Sequence, residues 1–160
     1  MRIGHGFDIH AFSSQLDKKL ILGGVTIPNI PGVLSHSDGD VVLHAVMDAL
    51  LGAVALGDIG TLFPNDNETY KSANSRSLLH TCWQQIRDMY YIIGNIDITI
   101  ITEIPLILPY VTPMRMNISK DLQCKLNQVN IKATTTEKLG FIGRKEGIAC
   151  HAIILLLQQL

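Results

Sequence analysis

Residues 41–56 are apolar on nearly every side, and this run constrains most strongly what the chain can fold into. A helix without a polar face is buried on most of its sides, so the run predicts a central helix. In the acidic turn before it, Asp38 or Asp40 can accept hydrogen bonds from the free amides of the first helical turn. Two polar side chains, His44 and Asp48, interrupt the apolar surface. Because they lie four residues apart, they share one face of the helix, about 5–6 Å from each other.

The pair of His44 and Asp48 allows two interpretations. An unpaired polar group in a protein interior is costly, so a buried imidazole needs a partner. In the first interpretation, His44 is a core histidine that is satisfied by the carboxylate of Asp48. In the second, His44 is a metal ligand and Asp48 supports it as a neighbouring carboxylate. The helix alone leaves both interpretations open.

Composition limits the class of protein. The chain has 160 residues, of which 47% are hydrophobic and 17% charged, so we expect one domain, 1–160, with a sizeable core. The net charge is −1 and the longest basic run is Lys18-Lys19. These values give no indication of a nucleic-acid partner or of binding to an anionic membrane surface.

Cysteine spacing and hydropathy predict the compartment. The three cysteines have no spacing typical of a disulfide framework or a thiolate metal site, which favours a reducing compartment. The N-terminus has no apolar run of signal-peptide length, and the longest apolar run, 152–157, is too short to span a bilayer. We therefore expect a cytoplasmic location.

The remaining pattern predicts an α+β fold. Alternating and β-branched runs predict strands, and apolar residues at helical spacing predict helices. The expected strands are 2–12, a hairpin at 20–27 that turns at Gly23-Gly24 and is ended by Pro28 and Pro31-Gly32, 92–102, 129–136 and 148–157. The expected helices are 41–56, 75–91 and 113–122, and the expected loops are 57–67 and 140–147. We expect a mixed β-sheet with helices packed on one face. The other face would expose apolar residues, and closed homo-oligomerisation is the simplest way to cover it.

The first strand supplies two further polar side chains. Asp8 and His10 lie two residues apart, so both point to the same face, about 6–7 Å apart along the strand. Together with His44 they form an Asp/His/His set, which suits Zn²⁺ and leaves a fourth position open, as in catalytic zinc sites. His5 has an awkward spacing for the same set. His36, in the turn before the central helix, is better placed to touch a substrate.

A second polar cluster, KATTTEKLG, covers 132–140. Three threonines at the end of a strand are consistent with ordinary β-propensity. The hydroxyl groups, Glu137 and the following glycine loop also suit phosphate groups and a hard cation, since Mg²⁺ takes one or two carboxylates and leaves its other positions to phosphate and water.

Four motifs together resemble one known family, the 2-C-methyl-D-erythritol 2,4-cyclodiphosphate synthases of the non-mevalonate isoprenoid pathway. They are GHGFDIHAF at 4–12, HSDGDVVLH at 36–44, ALGDIG at 55–60 with Phe63-Pro64, and KATTTEKLGF at 132–141 with Gly143-Arg144. The resemblance covers the whole chain, and the motifs occur in the same order as in the family.

The resemblance implies a metal-assisted phosphorus–oxygen lyase. A cytidine diphosphate-linked methylerythritol 2-phosphate would be cyclised when its 2-phosphate attacks the β-phosphate, with release of CMP. The resemblance implies Zn²⁺, or another divalent transition metal, at Asp8, His10 and His44, and Mg²⁺ or Mn²⁺ at Glu137. His36 and Thr135 match the positions assigned to transition-state stabilisation.

The same resemblance implies a substrate site and an assembly. The methylerythritol part would be held by Ser37, Asp58, Ile59, Gly60, Phe63, Pro64, Asn65, Asp66 and Asn67. The cytidine would be held by Thr102, Glu103, Ile104, Pro105, Leu106, Ile107, Leu108, Thr134, Thr135, Thr136 and Glu137. These two groups would come from adjacent subunits of a homotrimer. Phe141 and Arg144, with Phe7, match residues that line a central apolar cavity able to hold an isoprenoid diphosphate.

Three positions depart from the family pattern. Asn65 stands where Asp is usual, Leu106 where Lys is common, and His151 where an acid is frequent. The departures keep a second function under consideration, a trimer that binds isoprenoid diphosphates with weakened catalysis. A metal hydrolase and a structural zinc module are further alternatives.

Overall fold

The computed structural model describes residues 1–14, 18–64 and 73–159. The described part is an α+β fold of strands, helices and two 3₁₀ turns. Its strands are β1 (Arg2–Ala11), β2 (Lys19–Leu22), β3 (Val25–Pro31), β4 (Tyr91–Ile101), β5 (Val129–Thr134) and β6 (Gly147–Gln158). Its helices are α1 (Val41–Ala53), α2 (Ile59–Leu62), α3 (Ser75–Asp88), α4 (Val111–Asp121) and α5 (Gly140–Gly143), and the 3₁₀ turns are Leu108–Tyr110 and Leu126–Gln128.

The predicted elements are confirmed, with differences at their ends. The central helix ends at Ala53, earlier than predicted, and Ala55 then adopts a positive φ of 59° that no α-helix continues. The two predicted loops contain the short helices α2 and α5. Of the two predicted ends of the hairpin, Pro31-Gly32 is confirmed and Pro28 is wrong, because β3 runs on to Pro31. In the part of the chain that the structure describes, β3 pairs with β2 alone, so a proline can occupy the other edge of this two-stranded sheet.

The main sheet is mixed, as predicted. Its strand order is β1-β6-β4-β5; β6 is antiparallel to both of its neighbours, and β4 and β5 are parallel. The strands β1, β4 and β5 therefore run in the same direction, and their carboxyl ends lie at one edge of the sheet. Loops that follow these three strands reach this common edge, where they can contribute side chains to a site.

The central helix lies directly on the backbone of β1. Gly4 and Gly6 are buried on the strand face that meets α1. A Cβ atom added to Gly4 would lie 1.8 Å from the carbonyl oxygen of Ala49, and one added to Gly6 would lie 1.9 Å from that of Ala45. A real Cβ atom cannot approach an oxygen so closely, so the two glycines permit the contact between helix and strand.

Helices cover one face of the main sheet in the described residues. α1 packs on β1 and β6, α4 packs on β5, and α3 packs on α1. The opposite face exposes large apolar side chains, including 69% of Ile3, 46% of Phe7 and 50% of Ile153. The prediction of an apolar face without helices is thus confirmed, whereas its burial in a homotrimer stays a prediction. Across the described residues, no helix combines the length and the apolar character needed to cross a membrane.

Asp40, one of the two predicted caps, is the N-cap of α1. Its side chain is fully buried and accepts hydrogen bonds from the amides of Val42 and Leu43 in the first helical turn. It also accepts from Gly23 and Gly24 at the hairpin turn, at 2.8 and 2.6 Å. Burial raises its pKa to about 6, whereas the backbone hydrogen bonds favour the ionised carboxylate and lower the pKa. One carboxylate therefore joins the hairpin to the helix.

Changing Asp40→Asn is expected to lower the free energy of unfolding by about 2 kcal/mol, because the amide group of asparagine turns a donor toward a backbone N–H. Urea denaturation monitored by circular dichroism measures the change. The control is Asp88→Asn, since Asp88 is an exposed residue whose carboxylate accepts from the side chain of Gln84. The control should change stability by less than about 0.5 kcal/mol. Equal stabilities for the two variants would contradict the bridging role of Asp40.

Candidate functional site

The end of β1 and the first turns of α1 bring together Asp8, His10 and His44. The Oδ2 atom of Asp8 lies 2.9 Å from Nδ1 of His44 and 3.0 Å from Nε2 of His10. The two ring nitrogens are 3.4 Å apart. The side chain of His44 is 8% exposed, against 18% for His10 and 21% for Asp8, so the cluster opens to solvent on the side of the strand. Among the described residues, these three are the one group of potential metal ligands that converge in this way.

The spacing of the three atoms fits a tetrahedral metal ion. Zinc is bound by imidazole nitrogen at about 2.0–2.1 Å, so two ligand atoms of a tetrahedral shell are about 3.3 Å apart. The observed separations of 2.9, 3.0 and 3.4 Å are close to this value. Three protein ligands leave the fourth position of the shell for a substrate oxygen or water, which is the arrangement of catalytic zinc.

The far nitrogen of His10 supports the same interpretation. Its Nδ1 atom lies 3.0 Å from the carbonyl oxygen of Leu34. A carbonyl oxygen can only accept, so Nδ1 carries the hydrogen, and in the neutral ring Nε2 directs a lone pair at Asp8 and His44. A histidine held in this way is a preformed metal ligand.

Asp8 and His44 shift each other's pKa. Burial raises the pKa of Asp8, but the hydrogen bonds and charges of His10 and His44 outweigh this effect. The pKa of Asp8 is therefore well below its usual range. Burial lowers the pKa of His44, but the hydrogen bond and charge of Asp8 outweigh this effect and leave the pKa above its ordinary value. A metal ion that binds here displaces protons from the histidines, so the affinity of the cluster for the ion rises with pH.

The predicted pairing of His44 with Asp48 is wrong. The Oδ1 atom of Asp48 accepts a hydrogen bond from the amide of Ile59 at 2.8 Å, at the start of α2. Burial raises the pKa of Asp48 above its ordinary value. Two side chains four residues apart on a helix share a face, but their rotamers can direct the polar atoms to different partners. Asp48 therefore positions the segment that begins at Asp58.

His5 lies outside the cluster, in line with its spacing. Its Nε2 atom is 2.9 Å from Nδ1 of His151, and the two rings are stacked on the open face of the sheet. Phe7 contacts His151 as well, with ring centroids 4.6 Å apart. His151, a departure from the family pattern, thus lies among apolar residues of the exposed face.

The loops after β4 and β5 form a second group of predicted residues. The carboxylate of Glu103 accepts hydrogen bonds from the amide of Thr136 at 3.1 Å and from that of Lys138 at 3.2 Å. The hydroxyl of Thr135 donates to the exposed carboxylate of Glu137 at 2.8 Å. Glu103 therefore connects the two loops, whereas the carboxylate of Glu137 lies at the surface.

Most other predicted residues lie at the surface of loops. His36 is exposed in the bend before α1, and the Oδ1 atom of Asp58 caps α2 by accepting from the amide and hydroxyl of Thr61. Leu106 is 74% exposed, whereas the side chain of Ile107 is buried in the core. The exposed or half-exposed set is Ser37, Ile59, Gly60, Pro64, Ile104, Pro105, Leu108, Thr134, Phe141 and Arg144, and Phe63 and Thr102 are buried. Asn65, Asp66 and Asn67 lie outside the described residues.

The metal cluster and the second group both lie at the edge of the sheet where β1, β4 and β5 end. Along this edge they are far apart, because β1 and β5 are the two outermost strands. The cluster belongs to β1 and the second group follows β4 and β5, and β6 separates β1 from β4. Adjacent strands are about 4.8 Å apart, so β1 and β5 are separated by about 14 Å. One chain therefore does not bring Glu137 next to the cluster.

Two residues at the far side of His44 were missed by sequence reasoning. The Nε2 atom of His44 lies 3.1 Å from the hydroxyl oxygen of Ser75 and 3.1 Å from that of Ser37. The hydroxyl of Ser75 donates to the carboxylate of Asp38. Asp38 was considered as a helix cap only, and Ser75 is one of many serines, so no local pattern connects either of them with His44.

Comparison with known proteins identifies the family. The model of the YgbB family matches residues 1–157. The 2-C-methyl-D-erythritol 2,4-cyclodiphosphate synthase of Proteus mirabilis (strain HI4320) is 57% identical over 99% of this chain and 98% of its own length. The structure of IspF from Plasmodium falciparum in a CDP complex has a TM-score of 0.88 and 43% identity, and the match covers 99% of this chain and 97% of that one.

A longer structure matches as well. The bifunctional IspDF from Campylobacter jejuni has a TM-score of 0.94 and 42% identity over 99% of this chain, which spans 42% of that protein. The resemblance predicted from the four motifs is confirmed by these matches. The chain belongs to the YgbB family, whose curated members at 57% identity are 2-C-methyl-D-erythritol 2,4-cyclodiphosphate synthases.

Proposed function

We propose that the chain converts 4-diphosphocytidyl-2-C-methyl-D-erythritol 2-phosphate into 2-C-methyl-D-erythritol 2,4-cyclodiphosphate and CMP, as a phosphorus–oxygen lyase of non-mevalonate isoprenoid precursor biosynthesis. An oxygen of the 2-phosphate forms a bond to the β-phosphorus. The bond from this phosphorus to the bridging oxygen breaks, and CMP leaves with the electron pair. The observation that carries the proposal is the Asp8, His10 and His44 cluster in a chain that belongs to this family.

The donor atoms of the chain suit two different divalent ions. The carboxylate and two imidazoles of the cluster are typical ligands of Zn²⁺. The exposed carboxylate of Glu137, beside the hydroxyl of Thr135, is typical of a site that holds Mg²⁺ or Mn²⁺ together with phosphate oxygens. When bound, such ions supply Lewis-acid charge to the phosphate groups and orient them.

The chain itself needs no nucleophile, because the substrate carries one. Its residues hold the two reacting phosphates in contact, which replaces a bimolecular encounter by an intramolecular step. His36, exposed next to α1, and the hydroxyl of Thr135 donate hydrogen bonds to oxygens on which negative charge develops. Asp58 uses Oδ1 for its helix cap, and its other carboxylate oxygen accepts from a hydroxyl of the methylerythritol part.

A homotrimer places both groups of residues in one site. The distance of about 14 Å between β1 and β5 is too large for one chain to bring Glu137 to the metal cluster. In a closed trimer, the loops after β4 and β5 of one subunit approach the β1 edge of the next. The exposed apolar face, with Phe7 and His151, then turns inward, where it can hold an isoprenoid diphosphate.

Two other functions receive less support. A trimer that binds isoprenoid diphosphates without turnover would not need a cluster with tetrahedral ligand spacing. A metal hydrolase would use the same cluster, but it would transfer an oxygen atom of water to the product. The departures at Asn65, Leu106 and His151 replace none of the three ligands.

The test is to incubate the purified chain with the cytidine-linked substrate, Zn²⁺ and Mg²⁺ in ¹⁸O-labelled water. CMP and the cyclic diphosphate should appear in equal amounts by ³¹P NMR and mass spectrometry, without label in either product. Addition of a chelator should stop the reaction, and native mass spectrometry should give three times the mass of the chain. Labelled, uncyclised product would instead indicate a hydrolase, and binding without turnover would indicate the isoprenoid-binding alternative.

A further inference from the structure

On the Nε2 side of His44, a chain of hydrogen bonds leads through the hydroxyl of Ser75 to the carboxylate of Asp38. Asp38 accepts twice from Ser75: its Oδ2 atom accepts from the backbone amide at 2.9 Å, and its Oδ1 atom accepts from the hydroxyl. A serine hydroxyl has one hydrogen, which is used in the bond to Asp38. Toward the Nε2 atom of His44, 3.1 Å away, the hydroxyl oxygen of Ser75 therefore presents a lone pair.

A lone pair on Ser75 requires a hydrogen on Nε2 of His44. Two lone pairs that face each other at 3.1 Å in a buried site would repel. The other ring nitrogen, Nδ1, lies 2.9 Å from the Asp8 carboxylate, which can only accept, so Nδ1 carries a hydrogen when no ion is bound. If a metal ion replaces that hydrogen, the neutral ring keeps its one hydrogen on Nε2, where Ser75 accepts it. Ser37, at the same distance from Nε2, has a hydroxyl hydrogen that is free to rotate, so it can act as acceptor or as donor and does not select the tautomer.

We infer that Asp38 is a positioning residue of the metal centre: through the hydroxyl of Ser75 it keeps a hydrogen on Nε2 of His44, so that Nδ1 is the ring nitrogen left for a metal ion. This inference rests on the proposed metal site, and it adds two residues to that site which do not touch the ion. Its effect on turnover acts through His44 alone, since neither residue contacts the Asp8 carboxylate in the described hydrogen-bond network.

Changing Asp38→Asn should reverse the direction of this chain. Both side-chain oxygens of Asp38 accept from a backbone amide, Oδ2 from Ser75 at 2.9 Å and Oδ1 from Asp40 at the longer distance of 3.3 Å. The amide oxygen of asparagine is therefore expected to turn toward the amide of Ser75, and its NH₂ group toward the Ser75 hydroxyl. The hydroxyl then accepts from asparagine and donates its hydrogen to Nε2 of His44. A neutral ring then keeps its hydrogen on Nδ1, where it competes with the metal ion.

The experiment measures zinc affinity and the exchange of the Nε2 hydrogen of His44, neither of which needs turnover. A chromophoric chelator in competition with the protein gives the dissociation constant for Zn²⁺. Asp38→Asn is expected to raise this constant by about 10–100-fold. Long-range ¹H–¹⁵N correlation spectra of the zinc-loaded protein should show a hydrogen on Nε2 of His44 in the unmodified chain, and this hydrogen should exchange faster with solvent in Asp38→Asn, because it has lost its acceptor. His44→Gln assigns the signals.

The double variant Asp38→Asn/Ser75→Ala separates the effect of a reversed hydrogen bond from a general loss of structure. Ser75→Ala removes the hydroxyl but leaves Ser37 as an acceptor for Nε2, so it should weaken zinc binding less than Asp38→Asn does. Adding Ser75→Ala to Asp38→Asn removes the reversed donor, and the affinity should recover toward that of Ser75→Ala alone. Ser119→Ala, at a buried serine of α4 that donates to Met116, is the matched control and should leave the affinity unchanged.

Two results would overturn the inference: unchanged zinc affinity and unchanged exchange of the Nε2 hydrogen in Asp38→Asn, or a double variant that binds zinc as weakly as Asp38→Asn or more weakly. The second result would mean that Asp38 supports only the loop before α1. Failure of the proposed function is a different outcome, since zinc would then bind with the expected pattern while no CMP is released.

Discussion

Replacing Gly6 with alanine is expected to lower the free energy of unfolding by about 3 kcal/mol or more and to abolish metal binding by the cluster. The added Cβ atom would lie 1.9 Å from the carbonyl oxygen of Ala45 and 2.7 Å from the backbone nitrogen of Ala49. Both atoms belong to the backbone of α1, so no change of rotamer can relieve the overlap. The helix must move away from β1, and it carries His44 with it.

Urea denaturation measures the stability of this variant, and elemental analysis of the purified protein measures its zinc content. The matched control is Gly52→Ala on the same helix, where an added Cβ atom meets nothing closer than the carbonyl oxygen of His5 at 4.0 Å. Alanine is the better helix former, so the control should gain up to about 1 kcal/mol and keep its zinc. A Gly6→Ala protein of unchanged stability and full zinc content would show that the close approach of helix and strand is not required.

Replacing His44 with alanine is expected to reduce the rate of CMP release by about a thousandfold, equivalent to about 4 kcal/mol of lost transition-state stabilisation. The change removes one of three ligands, and the remaining pair, Asp8 and His10, cannot hold a tetrahedral ion firmly. The loss should appear in both the zinc content and the turnover number. It should not be overcome by raising the substrate concentration, because the missing charge acts on the reacting phosphates rather than on binding alone.

His80→Ala is the control for this variant, because His80 lies exposed on α3, away from the cluster. It should retain its zinc and its activity. Circular dichroism spectra that superimpose for both variants exclude a general loss of structure. Full activity in His44→Ala with normal zinc content would contradict the role of the cluster and, with it, the proposed mechanism.

Local patterns predicted most of the fold. The run 41–56 has no polar face, and β1 places Asp8 and His10 on one side, so helix, strand and the pairing of two ligands follow from periodicity alone. The apolar residues on both sides of the sheet indicated a face without helices before any contact was known. Motif resemblance then connected His44 with these two ligands, which periodicity had only suggested.

Some predictions failed where a side chain had a choice of partners. The spacing of His44 and Asp48 showed that they share a helix face, but not that Asp48 bonds to the amide of Ile59 instead. The acidic turn offered Asp38 and Asp40 as equivalent caps. The structure assigns them different tasks, because Asp40 also reaches the hairpin amides of Gly23 and Gly24, which lie far away in the sequence.

The sequence by itself determined which residues can be ligands, which elements carry them and which family the motifs resemble, because these depend on residue type and on short-range periodicity. Only the tertiary structure decided that α1 lies against Gly4 and Gly6, that Ser75 meets the far side of His44, and that Glu137 lies at the other end of the sheet edge. Each of these depends on contacts between segments that are distant along the chain, and such contacts are set by the packing of the whole domain.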